Sequence, residues 1–421
     1  MTTTADLSLS YEAAPTFSTP LRFFLTAPLF GALAGVVLLF VPDLLGSRWT
    51  PGALALTHLI AVGFMLNIMF GALFQILPVV AGAAIPNARI VAGIVHVGLA
   101  TGVASLTWGL GAGSPPFLNA AVVLLGITFG VFLVAAGYGL RRTPIAQATP
   151  RDLRFALLGF GIAATLGMAL AMILSGGLSL PLATVVKLHV GWAWLGGSGL
   201  LLAATSWVVV PMFQITPNYP ARLTRYWALL TCAALVAWSA AVLAGFSLLE
   251  FILAIALAAL SGAFAITTLR LQTRSRRSVP DNTTRAFQLA MSCMIAGLLC
   301  IVAAHRFDHD VWPVLAGILI LHGGFVTAIV GMLYKIVPFL AWLHLSQAGM
   351  KAPNMKKLQP DGPIRKHLIA HAVALAVLLI AALSGSTLVV RTAGVLVMLE
   401  FGLLFANLMR VLGAYRIARS A

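Results

Sequence analysis

The segment Gly331-Met-Leu-Tyr334-Lys-Ile-Val-Pro338 closes a long apolar stretch, and its pattern occurs three times in the chain. The other copies are Gly71-Ala-Leu-Phe74-Gln-Ile-Leu-Pro78 and Ala204-Thr-Ser-Trp207-Val-Val-Val-Pro211. A histidine precedes each closing proline, by 20 residues for His58, 22 for His189 and 16 for His322. Because chance rarely repeats such a pattern at one structural location, the chain is predicted to be a triplication.

The composition indicates a polytopic membrane protein. Hydrophobic residues make up 61% of the chain and charged residues only 9%, and the mean hydropathy is +1.02. Soluble domains carry roughly 25% charged residues. Apolar runs long enough for a spanning helix of ~20 residues predict an all-α membrane fold of twelve transmembrane helices. Two longer polar loops divide these helices into three pseudo-repeated four-helix quartets, at 22–140, 153–270 and 286–412.

The charge distribution predicts the orientation of the chain. The net charge is +16, and 21 of the 26 basic residues lie on the side that the two termini share. The positive-inside rule therefore predicts cytoplasmic termini in a bacterial-type inner membrane, with residues 1–21 as a cytoplasmic tail and 22–421 as one integral membrane domain. Topology accounts for the basic residues, so the bilayer is the expected partner and a nucleic-acid partner is excluded.

The three histidines fall in the second helix of each predicted quartet, which are helices 2, 6 and 10. Counting back from the closing prolines at 1.5 Å per residue places them ~24 to ~33 Å away, in the outer half of the membrane. Ionisable residues at this depth usually mark ligand, ion or proton sites, and imidazole is a common metal and haem ligand. We therefore predict that His58, His189 and His322 bind a cofactor or metal; hydrogen bonding to a neighbouring helix is the alternative.

Other ionisable residues have weaker signals. His96 lies within helix 3, where it could join the same metal site or serve in packing. Arg306, in the loop before helix 10, could pair with a haem carboxylate, although solvation also explains it. Glu400 lies deep in helix 12 and is a candidate for a proton path or an interhelical hydrogen bond. Lys335 is expected to extend towards the cytoplasmic interface.

Three further histidines lie towards the cytoplasmic end of the chain's last helices. His367 and His371 are one helical turn apart on one face of helix 11, and His344 lies near the end of helix 10. Basic residues of the cytoplasmic interface are their neighbours in sequence. The pattern favours interface residues, and it assigns no chemistry to them.

Twelve helices with histidines in helices 2, 6 and 10 and the closing Tyr334-Lys-Ile-Val-Pro338 resemble heme-copper oxidase subunit I, most closely its C-type and nitric-oxide reductase branches. The size and short loops are also similar to the haem- and copper-containing NnrS proteins. The resemblance implies that His58 and His322 are axial ligands of one haem, that His189 is a copper ligand, and that cytochrome c or a quinol donates electrons. The haem is expected to be b-type, because the sequence lacks Cys-x-x-Cys-His.

The sequence departs from the oxidases at helix 7, which should carry an adjacent histidine pair for copper. No histidine occurs between His189 and His305, so the dioxygen-reducing centre is incomplete. The expected function is haem binding for electron transfer or for handling nitric oxide or another diatomic gas. Whether the protein is a haem-dependent oxidoreductase stays open. The alternative is a twelve-helix secondary transporter.

Overall fold

The computed structural model describes residues 10–144 and 147–420, and this part of the chain is helical without strands. It contains twelve helices long and apolar enough to cross a membrane, which confirms the predicted all-α fold with twelve potential membrane spans. Numbered in chain order, helices 1 to 12 are Ser18–Phe40, Pro51–Val80, Ala88–Ala112, Pro115–Leu140, Ala148–Leu174, Leu182–Gln214, Ala221–Ala244, Ser247–Thr273, Asn282–Arg306, Val311–Gln347, Asp361–Ser384 and Thr387–Ser420.

The predicted tail at 1–21 overlaps the start of the first helix. Helix 1 begins at Ser18, because Thr19, Pro20 and Leu21 are already buried against the bundle. Residues 1–9 lie outside the described residues.

Helices 2, 6 and 10 form the interior of the bundle. Their most apolar segments are 78%, 61% and 78% buried, whereas no other spanning helix exceeds 44%. Neighbouring helices along the chain pack against each other, and helices 1 and 12 also pack, which closes the bundle. The three predicted histidine helices are therefore the ones that face a common interior.

Each of these inner helices changes to π-helical geometry along part of its length. The π-helical segments are Leu59–Leu66 in helix 2, Trp192–Gly199 in helix 6 and Ile318–Val326 in helix 10. Each segment ends twelve residues before the closing proline of its helix. The repeated sequence pattern thus coincides with a repeated backbone shape, and π-helical turns in other proteins are frequent at functional sites.

Small residues allow helices to approach closely, as is usual in membranes. A Cβ on Gly35 would lie 2.6 Å from the Gly394 carbonyl oxygen, and one on Gly394 would lie 2.7 Å from that of Gly35. Glycines on both sides are thus required where helices 1 and 12 meet. A Cβ on Gly159 of helix 5 would overlap the Gly196 carbonyl in the π-helical segment of helix 6.

Candidate functional site

The first candidate site is formed by His58 and His189, here called the imidazole pair. Each histidine is the eighth residue of its helix, so both lie ~10 Å from the helix start at 1.5 Å per residue. Helices 2 and 6 run in the same direction because three membrane-spanning helices lie between them in the chain. The two rings are nearly parallel, at 17°, and their centroids are 6.3 Å apart.

Backbone carbonyls fix the protonation of both rings. His58 Nδ1 lies 2.8 Å from Leu54 O, and His189 Nδ1 lies 2.9 Å from Ala163 O in helix 5. A carbonyl oxygen can only accept, so each Nδ1 donates, and the Nε2 of a neutral ring carries the lone pair. Neither Nε2 has a protein hydrogen-bond partner among residues 10–144 and 147–420. Both nitrogens are therefore available as ligands, with orienting bonds of the kind that metal-binding histidines use.

The imidazole pair is partly exposed and lies against helix 5. Both rings are only half-buried, and within the described ranges helices 2 and 6 have no extensive backbone packing with each other. Gly167 of helix 5 provides room on the other side, since a Cβ there would lie 3.0 Å from His189 Cε1. Two imidazoles that bind one metal ion from opposite sides, at about 2.0–2.1 Å each, have ring centres roughly 6 Å apart. The observed 6.3 Å fits that arrangement.

His322 is not placed with His58, and the predicted axial pairing of these two histidines finds no support in the structure. His322 is the twelfth residue of helix 10, which puts it about 6 Å deeper than the imidazole pair at 1.5 Å per residue. There it lies against residues of helices 11 and 12. The depth difference is the physical reason that His189, and not His322, faces His58.

The second candidate site, here called the His–Glu cluster, consists of His322, His371 and Glu400. All three are buried, with 5%, 1% and 1% of their surface exposed. Glu400 Oε1 lies 3.0 Å from His322 Nε2, and Glu400 Oε2 lies 3.0 Å from His371 Nδ1. The imidazole rings stack at 4.8 Å. One ligand atom from each residue lies within 4.8 Å of the other two, so the three could hold a metal ion.

The remaining predicted site residues lie elsewhere. His96 Nε2 bonds the Thr26 hydroxyl at 2.8 Å, which is the packing role and separates it from both sites. Arg306 is exposed at the end of helix 9, with its guanidinium 5.7 Å from the ring of Phe307. The described residues therefore place neither His96 nor Arg306 at a common cofactor site.

Two of the histidines interpreted as interface residues are instead buried. His367 and His371 are each 1% exposed, and only His344 is half-buried near Phe17. The sequence does indicate the His–Glu cluster, through the distances of His371 and Glu400 from the turn between helices 11 and 12. His371 lies fourteen residues before Gly385, which ends helix 11, and Glu400 lies fifteen after it, so a helical hairpin brings them to equal depth.

No protein-family model and no curated protein matches the sequence. The functional argument therefore depends on the two sites themselves.

Proposed function

We propose that the protein is a haem-binding membrane protein and that His58 and His189 would hold the haem. The imidazole pair carries this proposal, because it presents two Nε2 atoms without protein partners, from helices 2 and 6 at equal depth, on nearly parallel rings whose centroids are 6.3 Å apart. The proposal includes a three-quartet arrangement like that of heme-copper oxidase subunit I. The common spacing between the π-helical segments and the closing prolines supports it.

The residues of the chain hold and orient the cofactor. The carbonyls of Leu54 and Ala163 keep Nδ1 protonated, so that Nε2 of each ring is the ligand. Gly167 lets the His189 ring lie close to helix 5. A b-type haem held there would supply one-electron redox chemistry, and the two imidazoles and their hydrogen bonds would set its potential.

This ligand arrangement favours electron transfer over oxygen reduction. Two imidazoles would fill both free positions of a haem iron, so nitric oxide or another diatomic gas would bind only after one imidazole had left. The missing histidine pair in helix 7 removes the copper ligands of the oxidases, and copper at His189 would compete with haem for the same nitrogen. In this proposal the electron donor is a cytochrome c or a quinol. The charge distribution supports cytoplasmic termini in a bacterial inner membrane.

The experiment is a visible spectrum of the protein purified in mild detergent from haem-replete cells, together with a pyridine haemochrome assay. We expect the spectrum of a six-coordinate b-type haem, because both ligands are imidazoles. A preparation without haem would contradict the proposal.

A proton-coupled secondary transporter is the second candidate function, and the His–Glu cluster favours it. A buried glutamate beside two histidines is typical of proton relays in pumps and transporters. A colourless, folded protein that binds a substrate in a pH-dependent way would favour this alternative.

A further inference from the structure

We propose that the His–Glu cluster is a separate site for one divalent first-row transition-metal ion, such as Zn²⁺ or Fe²⁺. The site does not depend on the proposed haem, because it shares no residue with the imidazole pair. Its ligands come from three helices, with His322 from helix 10, His371 from helix 11 and Glu400 from helix 12.

The distances between the donor atoms suit a metal ion. Glu400 uses a different oxygen towards each histidine, and each oxygen lies 3.0 Å from a ring nitrogen. If a metal ion lay about 2.0–2.1 Å from both atoms of such a pair, the angle between its two bonds would be roughly 90–95°. That angle lies within the range of ordinary coordination geometries, so only small side-chain movements are needed to admit the ion.

Thr327 contacts the His371 ring on the side away from Glu400. Its hydroxyl lies 3.1 Å from the His322 carbonyl oxygen and 2.7 Å from His371 Nε2, so it can donate to the carbonyl while it accepts from Nε2. In a neutral ring with the proton on Nε2, Nδ1 carries the lone pair. That lone pair points at the Glu400 carboxylate, 3.0 Å away. Two acceptors at this distance repel each other, so in this tautomer a cation would lie between them, whereas in the other tautomer the Nδ1 proton takes that place.

The other oxygen of the Glu400 carboxylate, Oε1, lacks a hydrogen-bond partner. His322 Nε2 and Glu400 Oε1 are 3.0 Å apart, but they are not aligned for a hydrogen bond, and neither atom has another partner among the described residues. A buried polar atom without a partner costs about 1–3 kcal/mol, and more for a charged group. One metal ion would coordinate both orphan atoms and His371 Nδ1 together.

The donor set indicates the class of metal. Two imidazoles and one carboxylate suit Zn²⁺, Fe²⁺ and related ions, whereas Mg²⁺ and Ca²⁺ prefer oxygen ligands and Cu⁺ prefers sulfur. Three protein ligands leave a position open, as in catalytic rather than structural zinc sites. The Thr327 hydroxyl acts as the outer partner that orients His371.

The test is the metal content of the full-length protein, purified without a polyhistidine tag from metal-replete cells. Total metals are measured by mass spectrometry, and haem iron is determined on the same sample and subtracted. We expect one non-haem metal ion per chain in the wild type. Glu400→Gln and His371→Asn should fall below about a tenth of this value. The matched control is His367→Gln, which changes a histidine of equal burial one turn away and should keep the metal.

Co²⁺ added to the chelator-treated protein gives a second readout, through visible ligand-field absorption that the Glu400→Gln variant should lack. Wild type without non-haem metal and without a Co²⁺ spectrum would overturn the proposal, as would infrared evidence that Glu400 stays protonated when excess metal is added. Unchanged metal content in both ligand variants would overturn it too. Metal without haem would refute only the proposed function, and haem without metal would refute only this inference.

Discussion

Asp281 should stabilise the contact between the start of helix 9 and the second half of helix 10. Its Oδ1 accepts the Thr284 N–H at 2.9 Å as the N-cap of helix 9, and its Oδ2 lies 2.7 Å from Lys335 Nζ. Lys335 therefore pairs with a neighbouring loop, in place of the predicted free extension into the interface. Arg277 adds a contact of 3.1 Å to the same oxygen.

The two roles of Asp281 can be separated by two substitutions. Asparagine caps helices about as well as aspartate, so Asp281→Asn removes only the ion pair, whereas Asp281→Ala also removes a cap worth ~1 kcal/mol. Lys335 and Asp281 are 25% and 19% exposed, which places the pair between exposed pairs of ~0.2–1 kcal/mol and buried pairs of ~3–5 kcal/mol. We expect losses of about 1–2 kcal/mol for Asp281→Asn and about 2–3 kcal/mol for Asp281→Ala.

The effect should depend on pH. Burial raises the pKa of the Asp281 carboxyl, but the hydrogen bonds from Lys335 and Thr284 and the charge of Lys335 outweigh burial and hold the pKa below its usual range. A lowered folded-state pKa stabilises the protein above the unfolded-state pKa of ~3.9, and this contribution is lost as the pH falls through the folded value. The difference between wild type and Asp281→Asn should therefore be full at neutral pH and shrink in acid below about pH 4.

The assay is unfolding by a denaturing detergent in mixed micelles, followed by tryptophan fluorescence. Asp361→Asn is the matched control, because its contact with Lys356 is 3.9 Å long and both side chains are mostly exposed. That substitution should cost less than about 1 kcal/mol. Equal stability of wild type, Asp281→Asn and Asp281→Ala at neutral pH would refute the reasoning.

Three further predictions concern the two sites. Gly167→Ala should lower the haem content per chain, because the new Cβ would lie 3.0 Å from His189 Cε1. The control Gly161→Ala should keep the haem, since its Cβ would meet only a flexible side chain at 3.4 Å. Equal haem content in the two variants would contradict this prediction. His96→Ala should leave the haem spectrum unchanged, since that ring bonds helix 1. Thr327→Val should weaken Co²⁺ binding by about 10–100-fold through the loss of an outer hydrogen bond, and an unchanged Co²⁺ titration would argue against that role.

Most of the fold follows from the sequence because the bilayer imposes simple rules. Apolar runs of sufficient length predicted all twelve helices, and the repeated pattern ending in Pro78, Pro211 and Pro338 identified the three inner ones. The π-helical segments were not predicted. Their backbone hydrogen bonds depend on packing between helices, and no residue type specifies them.

The candidate sites were predicted only in part. The depth of a histidine in the membrane depends on where its helix begins as well as on where it ends. Counting from the closing prolines separated His58 and His189 by two residues, although each is the eighth residue of its helix. The resemblance to heme-copper oxidases favoured His322 as the partner of His58 instead. Burial of His371 could not be read from its neighbours in sequence, because the partner Glu400 lies on the next helix.

The haem content of histidine variants tests the central claim most directly. Wild type, His58→Ala, His189→Ala and His322→Ala are purified in parallel, and their visible spectra are recorded in the oxidised and reduced states. The account predicts that His58→Ala and His189→Ala each lose the six-coordinate spectrum and that His322→Ala keeps it. A six-coordinate spectrum that survives His189→Ala and disappears in His322→Ala would contradict the account.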